Sequence, residues 1–421
     1  MAINVTPVAG VSPEINELRR RTAELVNNEI LPHEEELWRS RRRLDDGGGG
    51  DEARQRGLEL RERIKAAVVQ AGLWAPHLPR EYGGAGLDFL SLAYMYEILA
   101  YGVGAAALFG IAAPNSGNAT ILVKYATEEQ KRRWLIPLIA GELESGFSMT
   151  EPDHAGSDPR SLTTEAVRDG DDWVINGHKW FTSNGVKADF FIVMCRAKDP
   201  AGQFATSGRM TQIIVPASSP GVTIVRGIGV FGHATSDHCE IRYENVRVPL
   251  DNTLGAVGQG HQAAQDRLGA GRVYHCMNSI GMMWRAFDLM VERSLVREVH
   301  GGLLKDKQFV QGFIAESYMD LQSARLMTIN AAERVARDDP DSRTAISAIK
   351  VFVPAAFHRV VDRAIQVWGG AGVSNDLPLA QMYLTARVLR IADGPDEVHK
   401  ILIAKHVLRR YESGVGWNFG T

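Results

Sequence analysis

The chain has 421 residues, 45% of them hydrophobic, which is enough to bury two or three packed cores rather than one. Its 47 basic and 50 acidic side chains leave a net charge of −3, which excludes a basic face for nucleic acid and an acidic tail. The three cysteines, Cys195, Cys239 and Cys276, are too widely spaced for a disulfide framework or a CxxC redox or zinc motif, and are expected as reduced, partly buried thiols.

The first segment, MAINVTPVAGVSPEINELRRR, has acids where a targeting peptide would have an apolar or basic run. No later stretch holds roughly 18 uninterrupted apolar residues, so no membrane insertion is expected and the expected location is cytoplasmic. Residues 1–145 read as an N-terminal α-helical domain. Leu60, Ile64, Ala67, Val68 and Ala71 fall on one helical stripe that ends at Gly72. Thr127-Glu128-Glu129-Gln130 is a capping box, opening a helix whose Leu135, Leu138 and Ile139 share a face before Gly141 stops it. Between the first helices, RRRLDDGGGGDE at 41–52 is too glycine-rich and charged to pack, and is expected to form a surface insertion.

From 146 to 258 the pattern turns to β. Runs such as DWVING, ADFFIVMCRA, MTQIIVPA and HCEIRYENVRVP are rich in β-branched and aromatic residues, with Asp-Gly, Asn-Gly and Pro-Gly turn signals among them. This spacing predicts a compact antiparallel β-barrel domain or sandwich. From 259 to 421 the chain is helical again, broken at 301–302, 338–341, 369–372 and 393–395. Long helices with short connections predict an antiparallel C-terminal helical bundle.

Several stretches bear on chemistry. FSMTEPDHAGSD (147–158) ends a strand beside a hydroxyl and a glycine turn. INGHKWFTSNG (175–185) carries aromatics and hydroxyls before a hairpin signal, and QVWGGAGVSNDLPL (366–379) places paired glycines at a helix end. RIADGPDEVHK (390–400) crowds acids around a Gly-Pro step. By spacing alone Asp393 caps the helix that starts near Pro395, with Asp396 and Glu397 favouring the helix dipole.

In that order, across nearly the whole chain, the segments resemble those of the acyl-CoA dehydrogenase family of flavoproteins. APNSGNATILVKYATEEQKRRWL (113–135), RLGAGRVYHCMNSIG (267–281) and ADGPDEVHK (392–400) are most similar to the branch that in animals is fused to a kinase-like domain, and to its stand-alone bacterial relatives. The resemblance implies an α+β multidomain fold: N-terminal helices, a middle β domain and a C-terminal four-helix bundle. It implies FAD as cofactor, held between the β domain and the bundle and partly across a subunit interface, and hence a homodimer or homotetramer.

It also implies roles for single residues. Phe147, Met149 and Thr150 would meet the flavin edge, and Ser157 the pyrophosphate. Where the family has Trp, an apolar residue and Thr, this chain has Phe181, Thr182 and Ser183, which still offer an aromatic face and a hydroxyl near N5, while Trp180 is either part of the pocket or core filler. Arg297 would cross to a neighbour's FAD pyrophosphate, and Gln366, Gly369 and Gly370 would hold the adenosine side. After Arg297 this chain has His300-Gly301-Gly302 in place of the family's aromatic-Gly-Lys.

Asp393, followed by Gly394, stands where the family usually has its Glu-Gly base. It would take the α-proton of an acyl-CoA thioester as hydride leaves the β-carbon, with its main-chain N–H and a ribityl hydroxyl holding the thioester oxygen. The alternative base position, before Arg272, holds Gly271. Arg272 either meets a CoA phosphate or pairs with a neighbouring acid. His275 either polarises substrate or is a hydrogen-bonded core residue. His233, His238 and Cys239 lack zinc-site spacing, so no metal is expected.

The expected activity is FAD-dependent dehydrogenation of an acyl-CoA to trans-2-enoyl-CoA in fatty-acid metabolism, with electrons passed to an electron-transfer flavoprotein. Two competing readings are an oxygen-using flavin monooxygenase or oxidase on the same fold, which would not need Asp393, and a non-catalytic scaffold, which would not need Thr150, Ser157, Arg297 and Gln366 together.

Overall fold

A computed structural model describes residues 2–40, 49–205, 209–233 and 236–417. Most of the glycine-rich insertion expected at 41–52 lies outside the described residues, and only its last residues are seen, where helix α3 starts.

The N-terminal helices are α1 (Pro13–Leu25), α2 (Glu34–Arg39), α3 (Gly50–Gln70), α4 (Phe89–Leu99), α5 (Ala105–Leu108), α6 (Asn115–Tyr125), α7 (Glu128–Gln130) and α8 (Ile136–Ala140). Local chemistry sets their ends. Ser12 accepts a hydrogen bond from the Ile15 N–H at the start of α1, and Asp88 does the same for Ser91 N–H at α4. The Thr127–Gln130 capping box forms in both directions, and Gly141 closes α8 in the left-handed conformation. Leu60, Ile64 and Val68 bury the expected stripe of α3.

The β region contains β1 (Ser145–Ser148), β2 (Glu165–Asp169), β3 (Asp172–Thr182), β4 (Phe190–Lys198), β5 (Met210–Pro216), β6 (Val222–Gly227), β7 (Cys239–Pro249) and β8 (Thr253–Leu254). They pair in the order β6-β7-β3-β2-β4-β5-β8, with β1 added to β4. The expectation of an antiparallel sheet needs one refinement. Most neighbours are antiparallel, but β1 and β2 both run parallel to β4, so the sheet is mixed. Parallel partners are distant in sequence and leave no hairpin signal, which is why turn residues did not reveal them. Phe191, Val193, Cys195, Ile213, Val215, Ile241 and Tyr243 form the core of this sheet.

The C-terminal helices are α9 (Gly260–Val296), α10 (Gln308–Ala336), α11 (Ser342–Trp368), α12 (Leu379–Leu389) and α13 (Asp396–Glu412), and the two-residue strands β9 (Glu298–Val299) and β10 (Gly302–Leu303) join α9 to α10. The expected breaks all fall between these helices. Helix α11 is central and packs against α10, α12 and α13. Met277, Ile280, Met283, Val353, Phe357 and Val360 lie in its core. The segment Ser342–Val373 is long and apolar enough to cross a membrane, yet most of its most apolar 18-residue window is buried inside the protein.

By contacts the chain forms two compact units. One comprises Met1–Pro76, Ala85–Phe109 and Arg272–Thr421, and the other His77–Gly84 and Gly110–Gly271. In the first, N-terminal helices and bundle are tied by polar bonds across long sequence distances. The Arg325 guanidinium grips Glu97 at 2.5 and 3.1 Å, and the Tyr101 hydroxyl donates to Asp288 at 2.7 Å.

Candidate active site

In the β unit, the end of β1 and the end of β3 lie side by side. Thr150 accepts from the Trp180 N–H through its carbonyl at 3.0 Å and returns a bond from its hydroxyl to the Trp180 carbonyl at 2.8 Å. Phe147 and Ser183 form an antiparallel bridge in the same place. The structure therefore brings Phe147, Met149, Thr150, Phe181 and Ser183 together. Gly156 belongs with them, because a Cβ there would lie 3.1 Å from Thr150 Cγ2, so Ser157 follows directly on the same surface.

Phe181 is the informative member. Its φ of +49° is costly for an aromatic residue, and its ring is 43% exposed although a core lies beneath. Trp180 meets it edge-on at 5.0 Å. Beside it, the Ser183 hydroxyl is 3.0 Å from His238 Nδ1. Burial pushes the His238 imidazole down, so it is neutral at physiological pH. A flat exposed ring bordered by hydroxyls suits an aromatic cofactor with a polar edge, so the donor set fits an isoalloxazine. Phe147 carries the Arg267 guanidinium 4.4 Å over its ring.

A buried ion pair underlies this surface. Lys179, fully buried, donates to the Met149 carbonyl at 2.7 Å and to Glu151 Oε1 at 2.9 Å. Glu151 also accepts from the N–H and hydroxyl groups of Thr163 and Thr164. Burial raises the Glu151 carboxyl, but the Lys179 charge and these donors outweigh it and hold it down to about 2.

In the helical unit, Asp393 does not cap α13. Pro395 occupies the cap position and no side-chain cap bond forms. Asp396, expected to serve the helix start, is buried and takes a 2.8 Å bond from Arg390 Nε. Asp393 sits instead at φ +57°, followed by Gly394 at φ +101°. A side chain at 394 would meet His399 Nε2 at 2.9 Å, so that position requires glycine.

Four side chains hold this strained turn. Arg272 Nε donates to the Asp393 carbonyl at 3.0 Å, and His399 Nε2 lies 3.3 Å from the same oxygen. Lys350, almost wholly buried, donates to the Leu389 carbonyl and lies 3.5 Å from that of Gly394. His275 Nε2 lies 3.1 Å from the Asp393 carboxylate. A carbonyl only accepts, so His399 carries its proton on Nε2, and Nδ1 faces the Ser347 hydroxyl at 3.2 Å. Burial, with the Arg272 and Lys350 charges, pushes His399 down to about 4 and keeps it neutral. Arg272 thus bonds a main-chain carbonyl, where either a CoA phosphate or a neighbouring acid was expected as its partner.

The third group of predicted residues lies elsewhere. Arg297 follows the last turn of α9 and is exposed. Gln366 and the Gly369–Gly370 pair are exposed at the end of α11, where Gly369 has φ +65°. Trp368 Nε1 donates to the Leu289 carbonyl at 2.9 Å, which joins these two helix ends. His300 and Gly301, where the chain departs from the expected pattern, both have positive φ and make the two-residue turn between β9 and β10. Twenty-two residues of helical rise separate Arg297 from His275, about 33 Å at 1.5 Å per residue. Arg297 and Asp393 of one chain therefore do not share a reaction centre.

Sequence reasoning missed Lys350, His399, His238 and the Lys179–Glu151 pair, and left His275 undecided. A signal existed for Lys350, a lone cation inside the apolar run Ile349–Val353. Nothing local marked the others. The cysteines, expected as partly buried, are fully buried, and burial raises Cys195 and Cys276 to about 12 and Cys239 to about 11.

Comparison with known proteins gives one consistent answer. The N-terminal, middle and C-terminal domains of acyl-CoA dehydrogenase match residues 12–142, 146–246 and 258–408. The chain is 42% identical over 360 residues to FadE2 of Mycobacterium tuberculosis, named as an acyl-CoA dehydrogenase, covering 84% of this chain and 86% of that one. It is 38% identical over 411 residues to acyl-CoA dehydrogenase family member 10 of Mus musculus, covering 95% of this chain but only 37% of the mouse protein. Similarly, it spans 46% of family member 11 of Gallus gallus. A solved Mycobacterium abscessus structure described as an acyl-CoA dehydrogenase superposes with a TM-score of 0.86 at 34% identity, over 95% of this chain and 99% of that one.

Proposed function

Because this chain belongs to the acyl-CoA dehydrogenase family, we propose that it removes one hydrogen each from the α- and β-carbons of an acyl-CoA thioester to give the trans-2-enoyl-CoA. FAD, when bound, supplies the acceptor for the β-hydrogen and its two electrons. Phe147, Met149, Thr150, Phe181 and Ser183 hold its ring and Ser157 its diphosphate. Asp393 takes the α-proton: the Cα–H bond breaks, an O–H bond forms on the carboxylate, and the released pair makes the new double bond. The Asp393 main-chain N–H polarises the thioester oxygen, Gly394 lets His399 close on the turn, and Arg272 fixes the turn that presents both groups.

The observation that carries this reading is the carboxylate of Asp393 on a strained turn held by Arg272, His399 and Lys350. Strain of this kind persists where surrounding structure enforces it, and it collects at reacting sites. The distance between Arg297 and His275 along α9 supports a homodimer or homotetramer, in which Arg297, Gln366, Gly369 and Gly370 serve the cofactor of a neighbouring subunit. Electron-transfer flavoprotein is the proposed acceptor, fatty-acid metabolism the setting and the cytoplasm the location.

The test is an anaerobic titration of the purified protein with acyl-CoAs of several lengths, following flavin absorbance. Bleaching by one substrate class in the wild type, slowed about 10²- to 10⁴-fold in Asp393→Asn, is the expected result. A flavin that no acyl-CoA reduces would remove the proposal and return the oxygen-using reading to first place.

A further inference from the structure

Asp393 projects from a turn whose backbone is tied by three donors, but those donors act on main-chain oxygens. Arg272 and His399 reach the Asp393 carbonyl, and Lys350 reaches that of Gly394. These three bonds fix the main chain of the turn. At the carboxylate itself, His275 Nε2 lies 3.1 Å from Asp393 Oδ2. His275 lies one turn along α9 from Arg272, so a single helix holds both the turn's backbone and its side chain. A ring with its proton on Nε2 can donate to that oxygen, because a carboxylate only accepts.

We infer that His275 is a positioning residue for Asp393: its Nε2–H fixes one carboxylate oxygen, so that the other points to the substrate's α-carbon. This inference rests on Asp393 being the base of the proposed dehydrogenation. An aspartate needs such a partner because its short side chain reaches the α-carbon over a narrow range of χ angles, and proton transfer falls steeply with misplacement. His275 is half-exposed rather than packed in the core, with a side chain 41% exposed, which a purely structural histidine would not require.

The test compares His275→Gln, which keeps an N–H near the Nε2 position, with His275→Leu, which keeps the volume and loses the donor. The holoenzyme is given a 3-thia-acyl-CoA, whose β-position is sulfur and has no hydrogen to lose, and α-hydrogen exchange into D2O is followed by mass spectrometry. His275→Leu is expected to slow exchange about 10- to 100-fold with substrate binding unchanged, and His275→Gln to recover most of that loss. Crystal structures should show the Asp393 side chain rotated in the Leu variant and retained in the Gln variant. Exchange in His275→Leu equal to wild type, or Gln no better than Leu, overturns the inference. Asp393→Asn separates the two levels: if it exchanges normally, Asp393 is not the base and the functional reading fails first.

Discussion

The loss of the Lys179–Glu151 pair has a cost that can be worked from the structure. Both side chains are buried, at 0% and 3% exposure, with Nζ 2.9 Å from Oε1. Lys179→Met leaves a buried carboxylate without its cation, a change that costs about 3–5 kcal/mol. Linkage acts on both partners. Against the burial that raises it, the Lys179 charge and the threonine donors hold Glu151 at about 2 against an ordinary 4.5, while burial pushes Lys179 below its usual range, so the pair's net contribution is smaller than the Glu151 depression alone. The sign follows from proton uptake. The unfolded chain binds this proton first as pH falls, so the stabilisation is complete above about 4.5 and is lost on the way down to about 2.

Urea unfolding followed by tryptophan fluorescence should therefore show Lys179→Met several kcal/mol less stable than wild type at pH 7, with the gap narrowing below pH 4. Replacing both partners, in Glu151→Gln/Lys179→Met, should cost less than the sum of the single changes, with a coupling of about 2 kcal/mol or more. The reasoning is refuted if the changes add to within about 0.5 kcal/mol, or if Lys179→Met alone costs under about 1 kcal/mol. A secondary consequence reaches the site, since Lys179 also holds the Met149 carbonyl and its loss frees the strand end that carries Thr150.

Two further outcomes are expected. Arg297→Ala, at an exposed position, should leave the unfolding midpoint within about 0.5 kcal/mol of wild type but weaken FAD retention about 10- to 100-fold on dialysis, as for loss of charge-assisted bonds; unchanged retention would take Arg297 out of the cofactor site. His399, depressed from 6.5 to about 4, contributes about 3 kcal/mol of stability that is present above pH 6.5 and lost as pH falls toward 4, so stability measured across that range should flatten in His399→Gln, and an unchanged slope would contradict the assignment.

What the sequence made legible was what local chemistry decides. Thr127 and Gln130 cap each other three residues apart, Gly141 ends its helix, and Leu60, Ile64 and Val68 share one face, so these could be read without neighbours. The pairing of β1 and β2 with β4 could not, because parallel partners are joined by no turn with a sequence preference. The same division runs through the site. Phe147, Met149, Thr150, Phe181 and Ser183 were identified by their motifs and do lie together. That Asp393 sits on a tied turn rather than capping the helix depends on Arg272, 121 positions away, and on His399, which both reach its main-chain carbonyl. Short-range reading favours the cap because an Asp before a helix meets every local condition for one. Tertiary bonds to the carbonyl of the same residue decide otherwise.

That decision bears on why a shorter acid can stand at this position. Glutamate reaches farther but has one more rotatable bond to freeze, so its carboxylate is less defined until substrate packs against it. Asp393 exchanges reach for definition. Its backbone is fixed in a left-handed turn by Arg272 and His399, Lys350 secures the next carbonyl, and His275 meets the carboxylate directly. All of these residues belong to one compact unit of the chain. The turn is thus assembled from contacts within one unit of the chain. In the proposed dehydrogenation, a carboxylate held in this way would spend little binding energy on its own alignment, which would leave more of the thioester's interactions available for the transition state.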